Sequence, residues 1–221
     1  MQLEAIPVGE NSLILRVTGK STADCVQQVD RVLNVVKTLR LRGLVGVRPG
    51  LDCLMLEFEG DYDSNRIVDA LSLSAGTINR APAGEPLEIP VCYEQPFARD
   101  LENVAGALGL KPQKIIDLHT ERIYDVWMIG FMPGYPYMGS LNEKLQLPRK
   151  STPDLSVPAG SVAIAEEFVG VYPFDSPGGW HIIGRTPLRL VDYSRSVPFL
   201  FQYGMKVKFH PVTTEGFRRF K

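Results

Sequence analysis

Glycine and proline are concentrated in the second half of this 221-residue chain. Eight of its 20 glycines and eight of its 17 prolines lie between residues 130 and 187. Both residue types interrupt helices, so this density excludes long helices there. Strand-like segments lie between the turns, at residues 123–129, 161–165, 170–174, 180–184, 188–192, 199–203 and 206–212. Short strands at close spacing predict a β-barrel or a β-sandwich.

The first half of the chain has the pattern of a small α/β domain. Residues 3–17 predict a strand or a hairpin, and apolar residues from Val26 to Leu39 recur every three or four positions, as on one helix face. Two strands surround a Pro-Gly turn at residues 49–50, a second helix follows, and residues 87–93 add a strand. This order, β-α-β-β-α-β, predicts a ferredoxin-like sandwich.

The change of pattern predicts two domains. We place an α/β (ferredoxin-like) domain over residues 1–86 and the barrel domain over residues 87–221, which makes the chain an α+β protein. Two short helices are expected at the start of the second domain, at residues 100–110 and 111–122, with Gly109 ending the first of them.

Charge and cysteine content narrow the functional classes. The chain has 24 basic and 25 acidic residues, so no overall field favours nucleic acid or an anionic membrane as a partner. Its first residues lack the basic cluster of a signal peptide, and no apolar run has the length of a membrane span. Cys25, Cys53 and Cys92 lie in apolar segments, which predicts reduced core thiols and a cytoplasmic protein.

Common catalytic motifs do not occur in the sequence. The TGKST segment at residues 18–22 has Ile14 where a phosphate loop needs its first glycine, which favours a helix cap. No G-x-S-x-G nucleophile elbow is present. The three histidines are more than 25 residues apart and match no zinc-ligand spacing, so we predict no metal site.

Two arginines and one histidine are candidate site residues, each with a structural alternative. Arg149 and Arg185 lie in turn-rich sequence, where they are either solvated charges or planar forks of donors for an oxyanion. His119 lies near the end of a predicted helix. There it either caps the helix, whose dipole favours an imidazolium, or has a functional role.

Serines and aromatic residues beside the turns have two interpretations as well. Ser161 and Ser176 either bond the neighbouring backbone or contact a ligand. Tyr135, Tyr137 and Trp180 are either core aromatics or the wall of a pocket for a small planar ligand.

Five sequence blocks together resemble one family. They are GFMPGYPYMGSL (130–141), LPRKSTP (147–153), VPAGSVAIA (157–165), GVYPFDSPGGWHIIGRTPLRL (170–190) and VKFHPV (207–212). The chain is identified as a member of the 5-oxoprolinase B-subunit / allophanate hydrolase subunit 1 family, which also contains KipI, a bacterial inhibitor of a sporulation kinase. The resemblance implies a cyclophilin-like β-barrel behind a small α/β domain.

The resemblance also implies that the chain acts as one subunit of an enzyme complex. The partners are a larger subunit of the C type (allophanate hydrolase subunit 2) and an A-type subunit of the LamB/YcsF family, and the complex uses ATP to open 5-oxo-L-proline, a small-molecule substrate, to L-glutamate. The chain alone is not expected to be active. The implied catalytic residues are His119, as the group that titrates near neutrality, and Arg185. The implied substrate-binding residues are Pro133, Gly134, Tyr137, Arg149, Ser161, Ser176, Gly178, Gly179 and Trp180.

Departures from the family pattern leave two other functions open. Phe168 and Val169 replace a polar Gln-Thr pair after the charged turn Glu166–Glu167, and Asp154 replaces an arginine. An apolar pair at an exposed turn tip is an adhesive patch, which favours a KipI-like inhibitor of a histidine kinase. The second alternative is a subunit of an allophanate or urea carboxylase type of amide hydrolase.

Overall fold

The structure, a computed structural model, describes residues 2–73 and 84–220. The chain divides into two compact units, Met1–Pro82 and Ala83–Lys221. The domain boundary after residue 86 stays a prediction, because residues 74–83 lie outside the described residues. Within the described ranges, no helix is both long and apolar enough to cross a bilayer.

A four-stranded antiparallel sheet and two helices form the described part of the first unit. Its elements are β1 (Gln2–Val8), β2 (Ser12–Thr18), α1 (Thr22–Leu39), β3 (Leu44–Pro49), β4 (Cys53–Phe58) and α2 (Ser64–Leu73). The strands are ordered β1-β2-β4-β3.

Alternating side chains build the core of this unit. Leu13 and Leu15 of β2 lie opposite Leu56 and Leu54 of β4, and all four are fully buried. The two-residue period of a strand places them on one face of the sheet, where α1 packs against β2 and β4. Helix α1 begins after Ser21, as its sequence predicts.

The predicted ferredoxin-like arrangement is not confirmed. The unit has the expected two helices and one sheet, but β1 and β2 form a hairpin that supplies two neighbouring strands. Residues 87–93 were counted as the last strand of the ferredoxin-like order, although the predicted domain boundary lies before them. They contain a strand of the second unit (Leu87–Cys92), which pairs in parallel with Lys206–Val212. The sequence indicated a strand there, but not the partner with which it pairs.

A closed seven-stranded barrel dominates the second unit. The elements are β5 (Leu87–Cys92), α3 (Leu101–Leu108), α4 (Pro112–Thr120), β6 (Ile123–Ile129), β7 (Pro136–Gly139), a 3₁₀ turn (Glu143–Leu145), β8 (Asp154–Val157), β9 (Ser161–Ala165), β10 (Phe168–Val171), β11 (Ser176–Gly178), β12 (His181–Arg185), β13 (Lys206–Val212) and α5 (Thr214–Arg219). The barrel order is β10-β7-β6-β13-β5-β12-β9, and β8 and β11 form a separate two-stranded sheet. One apolar core includes Ile89, Val126, Ile164 and Phe209.

Two segments of this unit do not form the predicted strand, and a third is shorter than predicted, since only residues 170 and 171 of the strand predicted at 170–174 belong to β10. Residues 188–192 and 199–203, predicted as strands, form none in the described chain, although Val191 and Phe199 make an isolated bridge. Pro198 beside that bridge has no backbone donor, which limits further pairing. These segments are therefore connections between β12 and β13 rather than barrel strands.

Candidate functional site

The structure places the predicted site residues in three parts of the second unit. His119 lies in the buried interior. Tyr137, Arg149 and Trp180 meet in a group of aromatic side chains. Arg185 lines a surface cavity. The interior, the aromatic group and the surface cavity differ in exposure and charge, so the residues in each have different chemistry.

His119 is a core residue in the last turn of α4. It is 0% exposed, and its ring centroid lies 4.7 Å from that of Phe209. The Tyr93 hydroxyl and the Nδ1 atom of His119 are hydrogen-bonded at 2.7 Å. Loss of hydration lowers the pKa of the imidazole from 6.5 to about 3. The ring is therefore neutral at physiological pH, and the prediction that His119 titrates near neutrality is wrong.

Burial outweighs the helix dipole at this position. A helix C-terminus favours a histidine cation by roughly 0.3–1 kcal/mol, which is less than the cost of burying an unpaired charge. The Tyr124 hydroxyl donates to the His119 carbonyl at 2.9 Å, so both tyrosines pack around the residue. With no exposed surface, the side chain of His119 is closed off from solvent.

An aromatic cluster lies beside β7 and β10, made of Tyr135, Tyr137, Phe168 and Trp180. The ring of Trp180 lies edge-to-face with Tyr135 and Tyr137 at centroid distances of 5.9 and 5.5 Å. The Arg149 guanidinium is 5.9 Å from the Trp180 ring centroid, and its Nε atom is 3.4 Å from the Glu166 carboxylate. Trp180 is thus a core residue, Tyr137 is half-buried, and Arg149 is a surface cation with an ion-pair partner.

The turn that departs from the family pattern has no exposed apolar tip. Glu166 and Glu167 form the turn between β9 and β10, which confirms the charged turn tip, and Glu166 has a φ of +54°. Phe168 and Val169 follow inside β10 and are buried. The prediction of an adhesive apolar patch at these two residues is wrong, because strand pairing turns them away from solvent.

Gly178 and Gly179 of the GGW segment (residues 178–180) were predicted to bind substrate, and packing accounts for only one of them. A Cβ atom at Gly178 would overlap the Tyr172 hydroxyl, so the ring of Tyr172 requires a glycine there. A Cβ atom at Gly179 would make only an ordinary contact with Pro153, at 3.7 Å. Gly134 has a φ of +79°, a conformation that favours glycine. Gly178 and Gly134 are thus determined by the fold, whereas Gly179 is not.

The hydroxyls of the two candidate serines bond the backbone. Ser161 is buried and donates to the Pro158 carbonyl at 2.7 Å. Ser176 donates to the Pro177 carbonyl at 3.2 Å. Both contacts match the structural alternative for these serines, in which the hydroxyl bonds the neighbouring backbone. Pro133, another predicted binding residue, is an exposed residue of the loop between β6 and β7.

A cavity of about 370 Å³ lies beside Arg185; its lining includes Ala159, Gly160, Arg185, Thr186, Arg189 and Arg218. We call it the arginine cavity. The Nε atom of Arg185 donates to the Ala159 carbonyl at 2.7 Å, and the Thr186 amide donates to the Gly160 carbonyl at 2.9 Å. Two motif loops, 158–161 and 184–187, therefore form one wall. Arg189, which lies near the end of the 170–190 block, and Arg218 also line this cavity, although the sequence indicated neither of them as a site residue.

A second cavity of about 690 Å³ is lined by Arg149, Lys150 and His181 among others. The Lys150 Nζ atom lies 2.5 Å from the carboxylate of Asp100 and 2.6 Å from that of Asp154. The cations of this cavity are therefore compensated, since Arg149 is also paired. Asp154, which replaces an arginine of the family pattern, is a partner of Lys150.

Metal ligands are not gathered in the described ranges: no group of three or more His, Cys, Asp or Glu side chains there is placed to hold an ion. Cys25, Cys53 and Cys92 form no disulfide.

Comparison with known proteins places the chain in a family. The family model for the carboxyltransferase domain, subdomains C and D, matches residues 3–201. The 5-oxoprolinase B subunit of Escherichia coli O157:H7 is 35% identical over 208 residues, which cover 92% of this chain and 94% of that protein. The protein of the same name from Bacillus subtilis (strain 168) is 45% identical over 135 residues.

The extent of these matches differs. The B. subtilis match covers 61% of this chain and 56% of the relative's own length. The crystal structure of the K. lactis urea amidolyase matches with a TM-score of 0.77 at 16% identity, covering 98% of this chain and 15% of that one, which shows a shared fold. By the extent of the family match and of the E. coli alignment, the chain belongs to the carboxyltransferase subdomain C and D family and, within it, to the group of 5-oxoprolinase B subunits.

Proposed function

We propose that this chain is the B subunit of an ATP-dependent 5-oxoprolinase, which opens 5-oxo-L-proline to L-glutamate together with A-type and C-type subunits. The observation that carries the proposal is the alignment with the E. coli B subunit over 94% of its length. The arginine cavity supports it, because two of the motif loops that carry the family resemblance meet at its wall.

The proposed reaction is hydrolysis of a lactam. The oxygen of water bonds to the ring carbonyl carbon, the ring C–N bond breaks, and the nitrogen takes a proton to become the amine of glutamate. Hydrolysis of ATP to ADP and phosphate supplies free energy. Negative charge develops on the carbonyl oxygen in the transition state, and preorganised donors stabilise such charge.

The contribution proposed for this chain is binding and charge stabilisation. Arg185 is held by the Ala159 carbonyl at the cavity wall, where its planar fork of donors suits an anionic oxygen. We assign no proton transfer to His119, because its ring is buried and neutral. The acid–base groups of the reaction then come from the partner subunits.

The other predicted binding residues have a proposed role at the surface. Pro133, Tyr137, Arg149, Ser176 and Gly179 are at least partly exposed, which supports contacts with substrate or with a partner subunit. We propose the C-type and A-type subunits as those partners. The K. lactis match supports this, since the same fold occurs there as 15% of a longer chain. ATP is proposed as a co-substrate of the complex, with no site assigned to this chain.

Three finer predictions also belong to this proposal. A cyclophilin-like class for the barrel is supported by its closure with seven strands. A ferredoxin-like relationship of the first unit is supported only by its two helices on one sheet. A cytoplasmic location is supported by three cysteines without a disulfide.

Reconstitution tests the proposed function. The chain is co-expressed with the A-type and C-type proteins of its own genome, and glutamate and ADP are measured after addition of 5-oxo-L-proline and ATP. We expect both products in equal amounts from the three-subunit mixture and neither from mixtures that lack one component. Absence of glutamate from every combination overturns the proposal.

A second candidate is the allophanate or urea carboxylase type of amide hydrolase, favoured by the fold shared with the urea amidolyase. The same complex is supplied with allophanate, or with urea, bicarbonate and ATP, and ammonia release is measured. Turnover of these substrates without turnover of 5-oxo-L-proline favours this candidate. Kinase inhibition is not proposed, because Phe168 and Val169, which motivated it, are buried.

A further inference from the structure

Three arginines from separate segments line the arginine cavity. Arg185 ends β12, Arg189 lies in the connection after it, and Arg218 lies in α5. Among the residues that the structure describes, none that lines the cavity is an aspartate or a glutamate. Three permanent positive charges facing one cavity of about 370 Å³ produce a positive potential that favours an anion.

Protein carboxylates compensate these charges little. The Nε atoms of Arg185 and Arg189 donate to backbone carbonyls, of Ala159 at 2.7 Å and of Val191 at 3.1 Å. Within residues 84–220, none of the three arginines forms an ion pair with a carboxylate. Arg189 does act at longer range on Asp192, whose pKa is lowered mainly by hydrogen bonds from Ser194.

The second cavity differs from the arginine cavity in the ion pairing of its cations. There Lys150 is 2.5 Å from the Asp100 carboxylate and Arg149 is 3.4 Å from that of Glu166. Its cations therefore already have anionic partners, and a bound anion would compete with them. In the arginine cavity a bound anion meets no such competition within the lining.

The helix that carries Arg218 is attached to the barrel at its start. The Glu94 carboxylate accepts hydrogen bonds from the Thr214 amide at 3.1 Å and from the Thr214 hydroxyl at 2.5 Å. The rings of Phe97 and Phe217 pack at a centroid distance of 4.2 Å. These contacts hold α5 beside the segment after β5 and keep Arg218 at the cavity.

Apolar groups complete the cavity. Leu188, Leu190, Phe217 and Phe220 are among its lining residues. We propose that the arginine cavity binds a compact molecule that carries one carboxylate or phosphoryl group on an apolar ring or short chain, with Arg185, Arg189 and Arg218 as the anion-binding residues. The inference rests on the proposed function and deepens it, because 5-oxo-L-proline is such a molecule. The binding itself is proposed for this chain without its partner subunits.

Binding to the full chain tests the inference. Titration calorimetry is carried out with 5-oxo-L-proline, inorganic phosphate and 2-pyrrolidinone, which has the same ring without the carboxylate. We expect heat from at least one of the two anions, binding that weakens as salt is raised, and no binding of 2-pyrrolidinone. Carboxylate and phosphate are separate arms, so the preferred anion is identified. No binding of either anion at low salt overturns the inference.

Matched variants locate the binding. Arg189→Gln and Arg218→Gln each remove one charge from the cavity and are expected to weaken anion binding by roughly 10- to 150-fold, the loss of one charge-assisted hydrogen bond. Arg219→Gln is the control, since Arg219 lies on the same helix and pairs with Glu215 instead. Anion binding unaffected by Arg189→Gln and Arg218→Gln, or weakened equally by Arg219→Gln, overturns the assignment to this cavity.

Failure of the inference is distinct from failure of the proposed function. A reconstituted complex that releases glutamate while the chain binds neither anion contradicts the inference and leaves the function standing. Anion binding that depends on Arg189 and Arg218, in a chain whose complex releases no glutamate, supports the inference and contradicts the function.

Discussion

At the scale of single residues, the surroundings of Arg185 and His119 decide what each side chain does. Arg185 lines a surface cavity and has its Nε atom fixed by a backbone carbonyl. His119, the other residue expected to be catalytic, has no exposed surface and a pKa of about 3. The charge of Arg185 is therefore available to a ligand, whereas the imidazole is held neutral by the core around it.

Replacement of Arg185 tests its role in the reconstituted complex. Arg185→Ala removes a charge-assisted hydrogen bond of about 1.5–3 kcal/mol, so kcat/KM for 5-oxo-L-proline should fall by more than tenfold. Arg185→Lys keeps the charge without the planar fork and should recover part of the loss. Arg122→Ala is the control, because Arg122 donates to the Ser140 carbonyl outside the cavity. Wild-type kinetics in Arg185→Ala would show that Arg185 is a surface charge.

Replacement of His119 tests its burial in the neutral form. The unfolded chain binds a proton at His119 below pH 6.5, whereas the folded chain does so only near pH 3. Stability therefore falls as the pH falls through this window. Between pH 7 and pH 4.5 the wild type should lose about 2–3 kcal/mol more unfolding free energy than His119→Phe, measured by denaturant titration at each pH. Equal pH dependence of the two proteins would contradict a neutral buried imidazole.

At the scale of elements, the small sheet of β8 and β11 depends on individual backbone positions. The strands have four and three residues and lie outside the barrel ladder. Gly178 at the end of β11 packs against the Tyr172 ring, which itself lies 5.1 Å from the ring of Tyr135. Gly178 of this sheet therefore contacts a tyrosine whose ring packs against the aromatic cluster.

Two neighbouring glycines give a matched test of that contact. Gly178→Ala forces a methyl group into the Tyr172 hydroxyl and should lower the free energy of unfolding by about 1–3 kcal/mol. Gly179→Ala places its methyl group 3.7 Å from Pro153 and should change stability by less than about 0.5 kcal/mol. Thermal or urea unfolding measures both. Equal effects of the two substitutions would show that the Tyr172 contact is not what requires glycine.

At the scale of the whole molecule, a charge network connects distant parts of the second unit. Lys150 bridges the carboxylates of Asp100 and Asp154, and Arg99 pairs with Asp154 at 2.5 Å. The Asp100 carboxylate also accepts a hydrogen bond from the Ile182 amide at 2.7 Å, across 82 residues of sequence. The start of α3, the segment before β8 and strand β12 are thus held together by one largely buried group.

Removal of Asp100 tests this network. Asp100→Ala leaves the Ile182 amide without its side-chain acceptor and leaves Lys150 with one carboxylate, so it should cost about 2–4 kcal/mol of unfolding free energy. The control is Glu88→Gln, which breaks an exposed pair with His210 and should cost less than about 0.5 kcal/mol. Denaturant unfolding measures both variants. A cost of Asp100→Ala as small as that of the control would contradict a structural role for the network.

Local patterns predicted most elements of the second unit. The strands at 123–129, 161–165 and 206–212 have the predicted bounds, and Gly109 ends α3 as expected. These predictions succeeded because strand alternation, glycine and proline act over a few residues. Residues 188–192 have an apolar pattern as well, but a ladder requires a continuous partner, and a local pattern contains no information about one.

The candidate site was predicted in part. Sequence blocks identified Arg149, Arg185 and the loops beside them, and the turn-rich surroundings left a solvated charge as the alternative for both arginines. Arg189 and Arg218 were missed because Arg189, although within the 170–190 block, is not among the residues that the family pattern marks, and Arg218 lies outside every block. Phe168, expected at an exposed tip, is buried because β10 pairs with both β9 and β7.

Short stretches of neighbouring residues were enough to predict most strands and helices of the second unit, the family of the chain and its motif loops, whereas β7, β8, β11 and α5 had no predicted counterpart. Contacts between distant residues fix the strand with which β5 pairs, hold His119 neutral and bring three arginines to one cavity. The physical reason is that strand pairing, loss of hydration and the summed charge of a cavity depend on residues far apart in the sequence.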